Sequence, residues 1–263
     1  MFIEHFKMID HPFCERPETD HILRDDRMAQ GLARLQYLTE QGTIGLVLGQ
    51  TGVGKSSLLR LFTDSLSPHR YLPVYLHLTP VVSSALLRLL VTQLGETPRL
   101  GKDRLFLQIL HKVRSGDRTT LLIFDEAHLL PAEALTDLRL LVSSALGDAP
   151  ALKIIFSGQE ALRHTLASAS LADLAGRIAV RCHLRPFTHD QTLAYIDHRL
   201  RTVGASEVLF EKEAKHLIHD YAGGVPRQIN NIATACLLNA AARNLQKINE
   251  PLVNDTMTEF RLP

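Results

Sequence analysis

Short apolar runs alternate with longer amphipathic stretches over the first two thirds of the chain. The runs lie at 43–48 (TIGLVL), 72–78 (LPVYLHL), 119–124 (TTLLIF), 151–156 (ALKIIF) and 178–184, each beside turn-forming residues. Between them, helical spacing of apolar positions marks 26–41, 55–66, 83–94, 103–115, 132–146 and 159–168. A strand covered on both faces needs a near-continuous apolar run, and strands that alternate with helices pair in parallel. The pattern predicts an α/β fold, a central parallel sheet flanked by helices. After Pro186 it changes: residues 188–260 show only helical periodicity, broken at Gly204, Gly223–Gly224 and Pro251. The expected division is an α/β domain over 1–186, its first 25 residues irregular, followed by a small all-α domain over 187–263.

Composition narrows the class without naming a chemistry. The chain has 263 residues, 45% hydrophobic and 22% charged, with a formal net charge of +1. That is an ordinary globular balance, without the strong positive charge that announces nucleic-acid binding. Three dispersed cysteines lack metal-ligand spacing and read as reduced thiols. His216 and His219 are three apart on an expected helix, but no third metal ligand is evident. The N-terminus has no basic segment followed by an apolar one, and no run approaches a membrane span. The expectation is a cytoplasmic protein with no membrane partner.

The first chemical motif is GQTGVGKS at 49–56, placed where a strand ends and a helix begins. Gly49, Gly52 and Gly54 let the backbone curl so that successive N–H groups, with those of Gln50, Thr51 and Val53, can face phosphate oxygens. The following helix adds the positive end of its dipole. Lys55 is expected to reach the β- and γ-phosphates of ATP, Ser56 to ligate Mg²⁺, and Ser57 to extend the phosphate-binding turn. The second motif closes the run TTLLIF with Asp125 and Glu126. At the carboxyl end of a parallel strand these are placed for a ligand, Asp125 for the Mg²⁺ hydration shell and Glu126 for activating the attacking water.

Further polar positions join the set. Ser157-Gly158-Gln159 follows the fourth strand, Arg177 and Arg181 flank the fifth, and GGVPRQIN at 223–230 sets Arg227 at a helix start behind Pro226. In this order the motifs resemble those of an AAA+ ATPase, a P-loop NTPase with an α-helical lid. HFKMIDHPF at 5–13, LARLQYLTEQG before the phosphate loop, SGQEALR at 157–163 and GGVPRQIN are similar to the ExeA-like group, which includes general secretion pathway protein A and stand-alone ATPases encoded with transposases.

The resemblance implies roles. Gln159 would sense the γ-phosphate, Arg227 would be a second sensor that also contacts nucleotide, and Arg177 would be an arginine finger offered to a neighbouring subunit, with Arg181 the fallback. His11–Phe13 would lie near the adenine. A finger acting between subunits implies a self-assembled ring or helical filament. A bare ATPase with a lid also resembles transposition regulators of the TnsC, IstB and MuB kind, which implies duplex DNA and a transposase as partners. The segment 99–118 carries a local excess of basic residues, including Arg99, Lys102 and Arg104, that could follow a phosphate backbone. The alternatives are a secretion-pathway ATPase acting on proteins without DNA, and a slow nucleotide-gated switch.

Overall fold

A computed structural model describes residues 2–15, 18–145 and 152–260. The elements run α1 (Phe2–His5), α2 (Asp26–Gln41), β1 (Ile44–Leu48), α3 (Lys55–Asp64), β2 (Tyr71–His77), α4 (Ser83–Gln93), α5 (Lys102–Arg114), β3 (Thr119–Asp125), α6 (Ala132–Ser144), β4 (Leu152–Gly158), α7 (Glu160–Leu166), α8 (Ala172–Gly176), β5 (Ile178–His183), α9 (His189–Thr202), α10 (Lys212–Ala222), α11 (Pro226–Ala242) and α12 (Glu250–Phe260). Ala151 and Leu146, expected at the start of the fourth strand and the end of the helix before it, lie outside the described residues.

The five strands form one sheet in the order β2-β3-β4-β1-β5, every neighbouring pair parallel. Burial explains which strands were legible as apolar runs. β1 and β4 are buried at every residue, and β3 at all but its first, because these strands lie inside the sheet with both faces covered. The edge strands β2 and β5 alternate between buried and open positions. Pro73, which cannot donate a ladder hydrogen bond, sits in the edge strand β2, where one side of the backbone is unpaired.

Around the sheet, Val74, Leu122, Phe124, Ile154 and Phe156 pack with Leu87 and Leu90 of α4, Ile109 of α5 and Leu138 of α6. The Phe124 and Phe156 rings stack on adjacent strands with centroids 5.8 Å apart. Within β4 two buried residues depart from the apolar rule, Lys153 and Ser157, and of these only Lys153 carries a charge. Its ammonium donates to the carbonyls of Leu38, 3.0 Å away, and Gly42, 2.5 Å away, at the end of α2, where the Leu38 carbonyl also accepts from the Gly42 N–H at 3.1 Å. Burial lowers the Lys153 pKa from its ordinary value.

A second core belongs to the helical unit. Phe2, Met8 and Phe13 pack with Ile196, Phe210, Ile218, Ile229 and Leu252. By contacts this unit gathers residues up to Met28, Gly52–Ser57 and residues from Arg185 onward, while Ala29–Thr51 and Leu58–Leu184 form the other. This grouping by contacts differs from a single division near Pro186 in where it puts the first 28 residues and Gly52–Ser57. The apolar side chains Phe2, Met8 and Phe13 have no strand or helix period and find their partners in the helical core. No described helix is long and apolar enough to cross a membrane.

Candidate functional site

The carboxyl ends of β3, β4 and β2 bring a set of polar side chains together in the sheet unit. Asp125, the last residue of β3, is 1% exposed. The Ser157 hydroxyl, from β4, donates to its Oδ1 at 2.8 Å, and the Tyr75 hydroxyl, from β2, donates to Oδ2 at 2.5 Å. The backbone N–H of Glu126 adds a 3.1 Å bond to Oδ1. A buried carboxylate needs such donors, and three of them fix its orientation. His77 Nδ1 stands 4.0 Å from Oδ2.

Glu126 follows in the left-handed region, φ 59° and ψ 33°, an unusual conformation for a side chain of this size. Its Oε2 lies 3.4 Å from His128 Nδ1 on the next turn, without hydrogen-bond geometry. The backbone at Glu126 thus turns out of the strand so that two adjacent carboxylates take different environments, one buried and held, the other part-exposed.

β4 also meets the start of the glycine-rich turn. The Gly49 N–H donates to the Gly158 carbonyl at 3.2 Å, one residue beyond the serine that holds Asp125. A side chain at Gly158 would meet the His128 backbone nitrogen at 3.2 Å and Leu162 at 3.1 Å, so the tip of β4 is packed too tightly for a Cβ. Because β4 lies between β1 and β3, its last two residues join the phosphate-loop entry on one side to the acidic pair on the other.

In the helical unit the remainder of the turn packs with the start of α11. Gly52 has φ +80°, and a Cβ there would stand 2.7 Å from Arg227 Cβ and 3.2 Å from Val225. Arg227 donates its backbone N–H to the Gly52 carbonyl at 3.3 Å. Gly54, at φ +106°, also needs glycine. Lys55 is 5% exposed. A mostly apolar pocket opens beside this turn, its walls including Ile22, Leu23, Met28, Val53, Phe187 and Pro226. The Arg27 guanidinium lies 4.0 Å from the Phe187 ring centroid and donates to the Arg185 carbonyl at 2.5 Å, holding one wall. His11–Phe13, expected near a base, do not line this pocket. Phe13 packs edge-on against Phe210, with ring centroids 6.1 Å apart, and the Pro12 carbonyl accepts from Arg199 Nε at 2.5 Å.

Other expected residues divide. Gln159 caps the N-terminus of α7, part-exposed, two residues beyond the buried Ser157. Arg177 caps the C-terminus of α8 and is exposed. Arg181, in contrast, donates to the Ala175 carbonyl at 3.2 Å. The basic segment is weaker than its charge count. Lys102 is bound by Glu133 at 2.6 Å and Asp137 at 2.7 Å, which raises its pKa, the hydrogen bond it donates to Asp137 contributing most. Arg114 donates to the Ser144 carbonyl, and Arg118 to that of Pro68 at 3.2 Å. Only a reading of residues thirty positions downstream could have revealed the Lys102 pairing. Arg99 and Arg104 are exposed. Ser157 was in view only as part of a polar strand end, and nothing in the sequence flagged Tyr75 as a partner of Asp125.

A five-stranded parallel sheet with a glycine-rich turn after a central strand and an acidic pair after its second neighbour defines the AAA+ P-loop NTPase fold. Residues 38–166 match the family described as AAA domain. General secretion pathway protein A of Aeromonas hydrophila is 29% identical over 256 residues, covering 94% of this chain, which spans 46% of that protein's length. Among solved structures, Cdc6p of Pyrobaculum aerophilum superposes with a TM-score of 0.76 at 20% identity over 96% of this chain and 71% of its own. The ORC2 protein of Aeropyrum pernix, solved with ADPNP and ADP, gives 0.72 at 18% over 95% and 71%. The ORC1 protein of that organism, solved in complex with DNA, gives 0.72 at 14% over 95% and 68%.

Proposed function

We propose that the protein binds ATP with Mg²⁺ and hydrolyses it as a self-assembled oligomer. The observation that carries this reading is the tip of β4, where Gly158 holds the first glycine of the phosphate-binding turn and Ser157 holds Asp125. The Asp125 carboxylate suits a hard cation: it offers oxygen, the ligand Mg²⁺ prefers, and three donors orient it. When bound, the ion would offset the charge of the phosphates.

The remaining work falls to the chain. Backbone N–H groups of residues 49–56 and the α3 dipole hold the phosphates, with the Lys55 ammonium at the β- and γ-positions. The apolar pocket takes the base. Glu126 accepts a proton from the attacking water, and its left-handed backbone aims the carboxylate out of the strand while Asp125 stays fixed. Gln159 senses the γ-phosphate, and Arg227 is the second sensor that couples the helical unit to nucleotide state, a role supported by the bond from its backbone N–H to Gly52. Arg177 serves the ATP of a neighbouring subunit. Both arginines are exposed, and the reading favours Arg177 because the Arg181 guanidinium is engaged at Ala175.

For the surface on which the oligomer assembles, the reading is duplex DNA in a transposition-type role with a transposase as partner. Its support is the likeness in fold to a protein solved with DNA and the exposed Arg99 and Arg104. The rival reading, a secretion-pathway ATPase acting on proteins, has its own support in the relative that matches along 94% of the chain. ATP-dependent, sequence-independent duplex binding that weakens with salt and is lost in Arg99→Glu/Arg104→Glu separates them. A protein that hydrolyses ATP, ignores duplex DNA and co-purifies with a secretion complex sinks the DNA reading and leaves the ATPase intact.

A further inference from the structure

Away from the phosphate turn, the helical unit carries a cluster of imidazoles that the ATPase chemistry does not use. His189 is the first residue of α9, and His216, His219 and Asp220 lie on α10. His189, His219 and Asp220 each present a ligand atom within 4.8 Å of the other two. His189 Nε2 is 3.4 Å from Asp220 Oδ1, and the His189 and His219 rings stand 3.8 Å apart between centroids.

The second nitrogen of each ring is already engaged. His219 Nδ1 lies 2.7 Å from the hydroxyl of Thr192, a residue with no exposed surface, and His189 Nδ1 lies 3.4 Å from His216 Nδ1. Metal-binding histidines have this arrangement: one nitrogen binds the ion while a partner on the other fixes the ring and its tautomer. The geometry points to a site for a borderline divalent transition ion, Zn²⁺ being the natural occupant, bound by His189 Nε2, His219 Nε2 and Asp220 Oδ1.

In that state His219 Nδ1–H donates to Thr192 and His189 Nδ1–H to His216. Metal–nitrogen bonds of about 2.1 Å in a tetrahedral site put ligand atoms about 3.4 Å apart. The His189–Asp220 pair already has that spacing, and both side chains are at least half exposed, at 50% and 62%, free to close on an ion with water in the fourth position. Mg²⁺ does not compete, because it demands octahedral oxygen ligands that two imidazoles cannot supply.

The site would join the start of α9 to the last turn of α10 where the chain enters the Gly223–Gly224 turn. The His219 carbonyl accepts from the Gly224 N–H at 3.3 Å, and the Gly224 carbonyl accepts from the Phe187 N–H at 2.8 Å. An ion here clamps the two segments on either side of that turn, which leads directly to Arg227.

The test is a metal titration of the untagged, chelator-treated, nucleotide-free protein. Co²⁺ should bind one per chain with a visible absorption band that Zn²⁺ abolishes and a large excess of Mg²⁺ does not, and Zn²⁺ should raise the melting temperature. His189→Ala and Asp220→Asn, both at exposed positions that leave the fold intact, should each weaken Co²⁺ binding at least about tenfold and remove the Zn²⁺-induced shift. Thr192→Val should weaken it about tenfold while keeping one ion per chain. Absence of Co²⁺ uptake, or uptake and thermal shift unchanged in both His189→Ala and Asp220→Asn, overturns the proposal. ATP hydrolysis is not the readout, so failure here leaves the ATPase reading untouched.

Discussion

The backbone N–H of Arg227 donates to the carbonyl of Gly52 across 3.3 Å, and no atom larger than hydrogen fits on the facing side of that glycine. The phosphate-binding turn and the first turn of α11 are thus built against each other inside the helical unit. Gly52→Ala combines a left-handed backbone, costing roughly 1–2 kcal/mol for an L-residue, with a 2.7 Å clash against Arg227 Cβ. The variant should lose nucleotide affinity by at least about tenfold, measured by fluorescent-nucleotide titration, and melt at a lower temperature. Affinity equal to the parent would show that the contact is incidental.

Glu126 offers a separation of stability from chemistry. Its φ of 59° costs a non-glycine residue energy that glycine does not spend. Glu126→Gly should therefore be as stable as the parent or more so, by about 1 kcal/mol in denaturant titration, yet hydrolyse no ATP. Glu126→Gln should keep the strain, bind ATP and assemble, and also fail to turn over. Full activity in either variant removes Glu126 as the base.

Arg177→Ala should bind ATP as a subunit yet hydrolyse it about 10³-fold more slowly in the assembly, the scale measured for arginine fingers. Mixing this variant with Glu126→Gln should restore some turnover, because a mixed interface can pair an intact finger with an intact base. Arg181→Ala should cost less in rate, since its guanidinium serves the end of α8. A larger loss for Arg181 than for Arg177 would exchange their roles.

Lys153→Met tests the one buried ammonium of β4. Methionine fills the space but removes the ammonium donor from the Gly42 carbonyl and from the Leu38 carbonyl, which keeps the Gly42 N–H. A loss of about 1–3 kcal/mol is expected, read as a lower denaturation midpoint with nucleotide affinity preserved. A more stable variant would mean that desolvating the charge costs more than its hydrogen bonds return.

Thiol labelling provides a check on both cores. Burial pushes the Cys236 thiol up to about 11 and raises Cys182 as well, and both are buried, while Cys14 is part-exposed. Since the thiolate is the nucleophile, Cys14 should label rapidly in the folded protein and the other two only on unfolding, followed by mass spectrometry of peptides. Rapid labelling of Cys236 would mean that the helical core opens readily.

The sheet was readable because burial on both faces writes strands as unbroken apolar runs, and Leu121–Phe124 and Ile154–Phe156 carry no polar face to confuse with a helix. The glycine-rich turn was readable because it is local, every residue within one short segment. What escaped was long-range. Phe2, Met8 and Phe13 have no period that links them to Phe210 and Leu252, and charge density could not show that Lys102 is bound by Glu133 and Asp137. The third imidazole near His216 and His219 comes from His189, a full helix upstream, so a search along one helix could not find it. Short helical pieces such as α8 are too brief for periodicity to register.

The pairing of β1 carries a consequence for synthesis. Ile44–Leu48 pairs with β4 and β5, strands that leave the ribosome long after it, whereas β2 and β3 follow it and pair with each other. Until Leu152–His183 has emerged, the nascent chain exposes a bare apolar strand attached to an unformed nucleotide turn, a template for wrong pairing. Such late, non-local closure makes folding slow, and it makes the growing chain a natural client for a chaperone that shields Ile44–Leu48 until β4 and β5 have been made.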